Sequence, residues 1–364
     1  MEKQMKGTKL MEDLKGQILS GALKPGEKLP SENVLSKEYG ISRQTVRKAL
    51  ELLHNEGFVY AEHGRGTFCS DMVKQEGATG NVAVVMTYLS DYIFPYVIKG
   101  IDEILEPQDY SILLKSTHNS RQIEAKCLEE IVKKNIDGLI IEPSKSQIAC
   151  RNQQLFELLE RYHVPFVFIQ GIYHGMEDKP YVLLNDKKGG YLITKHLIET
   201  GHKQIMGIFK ADDMQGQERH KGYVAALQEA GILYDPARVI WFHTEDRQTL
   251  PYEMMRQMVH KETFDAVVSY NDKVAMEVIQ ALEDENLHVP TDVSVTGFDD
   301  SVFGRNFKVP LTTIRHPQDK LGEEAAELLL KLMRGNSCTP EEMHVLMEPT
   351  LVIRESTRKS ETEL

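Results

Sequence analysis

In the first seventy residues the apolar positions fall into three short helical stripes followed by two strand-like runs. Leu10, Leu14 and Ile18 recur at helical spacing, so the pattern predicts a helix from about Lys9 to Ser20, ended by Gly21, Pro25 and Gly26. Ser31 is placed to cap a second helix through Tyr39, with Gly40 as its left-handed exit. Ser42 caps a third, "SRQTVRKAL", in which Val46, Ala49, Leu50 and Leu53 share one face while Arg43, Gln44, Arg47 and Lys48 fall on or near the other. Two helices joined by "GIS" make a helix-turn-helix. "FVYAEHGRGTFCS" then reads as two strands around His63, Gly64, Arg65 and Gly66, which is a wing.

Beyond about residue 80 the rhythm changes. Apolar strand candidates, "NVAVVMT", "YSILLKS", "DGLIIEP", "PFVFIQG", "YVLLND", "QIMGIFK", "DAVVSY" and "DVSVTGFDD", alternate with amphipathic runs at 121–134, 187–200, 217–230, 271–286 and 317–334. Strands that alternate with helices form parallel sheets covered by those helices. So many units divide into two lobes, with the break near 180–187. The expected fold is therefore an α+β winged helix-turn-helix domain over residues 1–70, a polar linker over 71–80, and a two-lobed α/β domain over 81–364. One lobe takes about 81–184 and 315–335, the other about 185–314 and 336–364.

Composition narrows the function class. The 364 residues are 41% apolar and 27% charged, as in an ordinary globular chain. No apolar run approaches the roughly 18 to 20 residues that span a bilayer, and the polar start lacks a signal-peptide core, so a cytoplasmic protein is expected. Cys69, Cys127, Cys150 and Cys338 are widely spaced and no His stands at ligand spacing, so neither a disulfide framework nor a metal site is suggested. The net charge is -12, yet residues 1–70 hold 11 Lys and Arg against 9 Asp and Glu, while the remainder holds 32 against 46. A polyanion partner would meet the head.

The chemistry of the third helix fits that partner. Arg presents a bidentate fork to guanine, Gln44 and Thr45 reach base edges or phosphate, and a helix N-terminus favours phosphate oxygens. Small residues at the wing tip let the backbone approach a groove, with Arg65 supplying charge. The succession from "SGALKPGEKLPSE" through "SRQTVRKAL" to "EG" and "GRGTF" resembles the winged helix-turn-helix head of the GntR family. That resemblance implies double-stranded operator DNA as partner and places Ser31, Glu32, Arg43, Thr45, Arg47 and His63 to Gly66 at or near it. Ser42 and Gln44 belong to the same candidate face, and Asn33 stands where some relatives carry a DNA-contacting Arg.

In the body, open parallel sheets bind ligands beyond the carboxyl ends of their strands. Polar residues gathered there are Tyr88, Asp91, Tyr92, Glu142, Gln170, Lys210, Asp213, Asn271, Asp272, Asp299 and Asp300. Carboxylates and amides exchange paired hydrogen bonds with hydroxyls, cations donate, and aromatic rings cover a sugar face, so a small neutral polyol fits. A phosphorylated ligand fits less well, because neither a Gly-rich loop nor a basic cluster appears among the strand ends.

"LLNDKKGGYLITKHLIETGHKQIMGIF", "RHKGYVAALQEAGI", "SYNDKVAMEVIQALEDENLHVPTDVSVTGFDD" and "LTTIRHP" look like the effector-binding domain of the LacI family, itself similar to periplasmic sugar-binding proteins. The likeness implies Arg219, Asn271 and Asp299 as sugar ligands in the second lobe, and Gln170 with the "SDYIFP" segment, which holds Tyr92 and Phe94, in the first. Relatives commonly read Asp-Asn where this chain has Asn185 then Asp186. A GntR-type head on a LacI-type body, with "IDGLIIEPSKS" and "MGIFKADDMQG", is similar over the whole chain to the repressors that govern arabinose utilisation.

That resemblance, not composition, implies L-arabinose as effector, a homodimer on a twofold operator and release on sugar binding, with another pentose or an activating role as alternatives. A sugar carrier would carry an export signal and no head. A glycosidase would need paired carboxylates, and Asp299 beside Asp300 at a strand end point to opposite sides. Trp241 and Phe242 read as core packing.

Overall fold

The computed structural model describes residues 2–70, 78–89 and 93–358, which form two compact units. One unit comprises 1–81, 125–138 and 151–165; the other comprises 82–124, 139–150 and 166–364.

In the first unit the head is built from α1 (Glu2–Leu19), α2 (Glu32–Glu38), α3 (Arg43–Asn55), β1 (Val59–Glu62) and β2 (Gly66–Cys69). α1 begins earlier than the apolar stripe alone indicates. Ser31 accepts from Val34 N to cap α2, Gly40 sits at φ 62°, and Ser42 accepts from Thr45 N at 3.2 Å to cap α3. Val46, Ala49, Leu50 and Leu53 are buried with Leu10, Leu14 and Ile18 from α1. β1 and β2 pair antiparallel, Val59 opposite Cys69 and Glu62 opposite Gly66.

Residues 125–138 and 151–165, expected with the α/β body, group instead with the head. Lys15 reaches Glu56 at 3.1 Å and Glu129 at 2.7 Å, and the ammoniums of Lys15 and Lys133 lie 4.6 and 4.8 Å from the Phe58 ring centroid. Of the expected linker, 71–77 lies outside the described residues. The backbone N–H groups of Thr79 and Gly80 donate to Asp137.

The remaining strands in chain order are β3 (Asn81–Met86), β4 (Ser111–Ser116), β5 (Gly138–Ile141), β6 (Phe166–Ile169), β7 (Tyr181–Leu184), β8 (Ile205–Lys210), β9 (Val239–Phe242), β10 (Ala266–Ser269), β11 (Ser294–Thr296), β12 (Thr313–Arg315), β13 (His344–Met347) and β14 (Thr350–Val352). A six-stranded sheet has the order β13-β7-β6-β5-β3-β4, and a four-stranded sheet the order β11-β10-β8-β9. The pairings of β5 to β6, β6 to β7, β8 to β9, β8 to β10 and β10 to β11 are parallel. Their central strands are buried on both faces, which is why "GLII", "FVFI" and "AVVS" read as unbroken apolar runs.

β7 belongs to the six-stranded sheet and β8 to the four-stranded one, so the division between the sheets falls between Leu184 and Ile205. The tail departs from expectation: residues 336–364 do not all join the second lobe, because β13 pairs parallel with β7 as the edge of the first sheet. β14 pairs antiparallel with β12, so chain crosses between the sheets near Asn185, His316 and Glu348.

Candidate functional site

On the head, Arg43, Gln44 and Arg47 project from the exposed face of α3, and Thr45 is half-buried beside Ser42. Arg47 donates to Glu32 through Nε at 3.1 Å and Nη2 at 2.9 Å, so the start of α2 orients the guanidinium on α3. That hydrogen bond, with Arg47's charge, holds the Glu32 carboxyl below the ordinary carboxylate range. Ser31 and Asn33 are exposed on the same helix start. His63, Gly64, Arg65 and Gly66 are exposed at the tip between β1 and β2, where Arg65 pairs with Glu62 and lies 5.7 Å from the Phe68 ring centroid. These side chains offer hydrogen-bond donors on the exposed surface of the head.

In the second unit the carboxyl ends of both sheets surround a cavity of about 880 Å³, part of it open to solvent. Phe94, Glu142, Gln170, Lys210, Arg219, Asn271 and Asp299 line it, as do Tyr88 and Asp213. Asp91 and Tyr92 lie outside the described residues. Asp272 is not a lining residue: its carboxylate is buried and accepts from Ser301 N at 2.7 Å and Thr313 Oγ1 at 2.7 Å.

Glu142, Lys210, Asp213 and Arg219 each have built partners. Glu142 accepts from Thr87 N at 2.8 Å and Thr87 Oγ1 at 2.5 Å, and burial pushes its pKa up to about 7. Burial opposes the charge on Lys210, but Asp213 at 3.0 Å and Asp212 at 3.4 Å outweigh it and raise its pKa. Asp213 also accepts from Tyr270 Oη at 2.7 Å and from Gly216 N at 2.8 Å, which fixes it at the start of the helix Met214–Glu229.

Arg219 donates to Asp186 at 2.8 Å and to the Tyr270 carbonyl at 2.7 Å, with its guanidinium carbon 3.6 Å from the Phe298 ring centroid. Burial lifts the Asp186 pKa to about 6 against the pull of Arg219. The Asn185–Asp186 order thus has a clear division of labour, since Asn185 Oδ1 caps its helix through Lys188 N at 3.0 Å. Gly190 permits this arrangement: a Cβ there would sit 2.1 Å from the Arg219 carbonyl oxygen.

Several lining residues were not anticipated. Tyr270, just after β10, and Phe242, the last residue of β9, meet edge to face at 5.6 Å. Phe242, read as core, both packs in the second lobe and lines the cavity. Trp241 does pack, 4.8 Å from the His220 ring and 5.9 Å from Phe209. Arg247 lies 3.9 Å from the Tyr88 ring centroid, and Asn119 donates to Thr244 at 2.7 Å, so residues beyond the first sheet touch residues beyond the second.

Four cations line the cavity: Lys210 at a strand end, and Arg219, Arg247 and Lys273 from helices and a loop. Among the described residues they face four carboxylates, Glu142, Asp213, Glu277 and Asp299. Burial raises Glu277 to about 7, and its Oε2 has no hydrogen-bond partner. Buried Gln170 Nε2 is likewise unpartnered. A lining that mixes four cations with four carboxyl groups and keeps spare donors and acceptors suits a hydroxylated ligand.

Residues 6–69 match the family described as bacterial regulatory proteins, gntR family, and 194–357 match the periplasmic binding protein-like domain. The arabinose metabolism transcriptional repressor of Halalkalibacterium halodurans is 40% identical, over 97% of this chain and 96% of its own. That of Geobacillus stearothermophilus is 37% identical, over 96% and 97%. The chain belongs to the family of arabinose metabolism transcriptional repressors. Among solved structures, the transcription regulator CcpA of Lactococcus lactis superposes with a TM-score of 0.67 at 26% identity, covering 76% of this chain and 99% of that one. These relatives are transcription regulators. In this repressor, then, the exposed basic helix and the cavity lined by four cations and four carboxyl groups are two places where chemistry is concentrated. No group of His, Cys, Asp and Glu fit for a metal ion occurs among the described residues, and no helix among them is long and apolar enough to cross a membrane.

Proposed function

We propose that this repressor grips operator DNA with its winged head, takes L-arabinose into the cavity, and releases the operator when the sugar is bound. The observation that carries the effector is the cavity lining: four cations against four carboxylates, with the rings of Phe94, Phe242 and Tyr270 offering apolar faces. Such a site pairs hydroxyls without demanding a charge on the ligand, and the rings cover the C–H faces of a pyranose. Glu142, Gln170, Lys210, Arg219, Asn271 and Asp299 hold hydroxyls, with Phe94 beside them.

Arg43, Gln44, Thr45 and Arg47 read or dock on the major groove, Ser31, Glu32 and Ser42 set the helix starts, and His63 to Gly66 enter the neighbouring groove. The protein acts in the cytoplasm as a homodimer on a twofold operator. Its relatives act as transcription regulators rather than enzymes, and the adjacent Asp299 and Asp300 turn to different partners, so that pair does not flank one bond. Sugar shifts the equilibrium only by preferring the state that binds DNA weakly. Calorimetric titration of the full chain with L-arabinose, D-xylose, D-ribose and D-arabinose tests the effector. L-arabinose is expected to bind most tightly, and equal or absent heats for L-arabinose would refute the assignment.

A further inference from the structure

Asp299 and Asp300 adjoin one another, and neither is glycine, yet both stand at positive φ, 102° and 53°. Left-handed backbone at two consecutive side-chain-bearing residues is strained and persists only where surroundings hold it. Asp299 faces the cavity, its Oδ1 3.8 Å from Arg219 Nη2. Asp300 turns the other way and is buried.

Asp300 is gripped by three arginines. Its Oδ1 accepts from Arg305 Nε at 3.0 Å and from Arg354 Nη2, and its Oδ2 from Arg315 Nε at 2.9 Å and Arg305 Nη2 at 3.1 Å. The Asp300 carbonyl also accepts from Arg305 Nη2 at 2.8 Å. Burial works against the carboxylate, but Arg315, Arg354 and Arg305 hold its pKa below the ordinary aspartate range. One carboxylate cannot neutralise three guanidiniums, so the knot is sustained by geometry as much as by charge.

The four residues come from distinct segments. Arg305 ends the short helix Val302–Arg305, Arg315 ends β12 where chain crosses toward the first sheet, and Arg354 follows β14. Asp299 is bonded to the same crossing: its N–H donates to the Ile314 carbonyl at 2.8 Å, and its carbonyl accepts from Gln318 Nε2 at 2.9 Å.

We infer that Asp300 is a positioning residue for effector binding: by gathering Arg305, Arg315 and Arg354 it holds the left-handed turn that presents the Asp299 carboxylate to the sugar and ties that turn to the segments crossing between the lobes. This rests on the proposed role of Asp299 in holding the effector. Asp300 itself touches no ligand.

The test is a double-mutant cycle on the full chain, with L-arabinose affinity read by calorimetry and sugar-free operator affinity and thermal unfolding measured alongside. Asp300→Asn is expected to weaken the sugar about tenfold while sugar-free operator affinity stays at the wild-type value. Asp299→Asn weakens it as well, and the double variant is expected to bind little worse than Asp299→Asn alone, because Asp300 acts through Asp299. Should Asp300→Asn not fold, Arg315→Gln, which leaves two of the three guanidiniums, takes its place in the cycle.

Wild-type sugar affinity in the Asp300 variant, or losses that multiply in the double variant, would overturn the inference. A wild-type chain that ignores L-arabinose counts against the effector assignment and not against Asp300. The cycle then runs with the pentose from the panel that the wild-type chain binds.

Discussion

Arg47 with Glu32 and Arg219 with Asp186 are the same chemical pair in opposite surroundings. The first is open to solvent, 72% and 34% exposed; the second is enclosed, 6% and 8% exposed. In water an ion pair is screened and readily exchanged, so Arg47 is held in position by Glu32 yet free to exchange that partner, as its proposed role on DNA requires. Beside the cavity both charges have lost their hydration, and Arg219 is locked by Asp186, by the Tyr270 carbonyl and by the Phe298 ring. The head keeps its cations negotiable, whereas the cavity fixes its charges in advance of the ligand.

The largest break in that comparison comes from the enclosed pair. Arg219→Ala leaves Asp186 buried without its counter-ion, so unfolding stability is expected to fall by about 3 to 5 kcal/mol, read as a lower denaturant midpoint, with sugar binding lost.

A second perturbation uses pH. The folded-state pKa of Glu142, about 7, lies above its ordinary 4.5. Folding therefore binds a proton, and the contribution is complete below about pH 4.5 and declines as pH rises through about 7. Glu142→Gln cannot ionise, so its stability relative to wild type should climb between about pH 5 and about pH 8, by roughly 3 kcal/mol at most. Parallel wild-type and variant curves would contradict the raised pKa.

The exposed side gives smaller effects on folding. Arg43→Ala should weaken operator binding by about 1 to 3 kcal/mol if it reads a base, with sugar affinity intact. Glu32→Gln should leave the thermal midpoint nearly unchanged, since an exposed pair adds little to folding. Anisotropy with labelled operator and thermal unfolding check the two.

Much of both regions was legible in the chain because their periodicity is local. Apolar spacing in α3 and unbroken strands such as "GLII" report burial directly, and the strand-end rule reached Glu142, Gln170, Lys210, Asn271 and Asp299. The same rule applied one residue earlier finds Tyr270 just after β10. Arg247 and Asn119 escaped because they sit in loops and meet their partners only through folding. Lys273 and Glu277 lie within a helix pattern, where charges read as solvated. β13 and β14 were missed because "HVLMEPTLV" is short, half-polar and broken by Pro349, and its pairing with β7 and β12 is set by distant chain. The grouping of 125–138 and 151–165 with the head depends on Lys15 and Lys133 meeting groups far along the chain.

The central claim, that occupancy of the cavity loosens the grip of the head, is tested most directly by operator affinity of the full chain with and without saturating L-arabinose, followed by fluorescence anisotropy. A clear rise in the operator Kd with sugar is predicted; an unchanged or lowered Kd at saturation would contradict it.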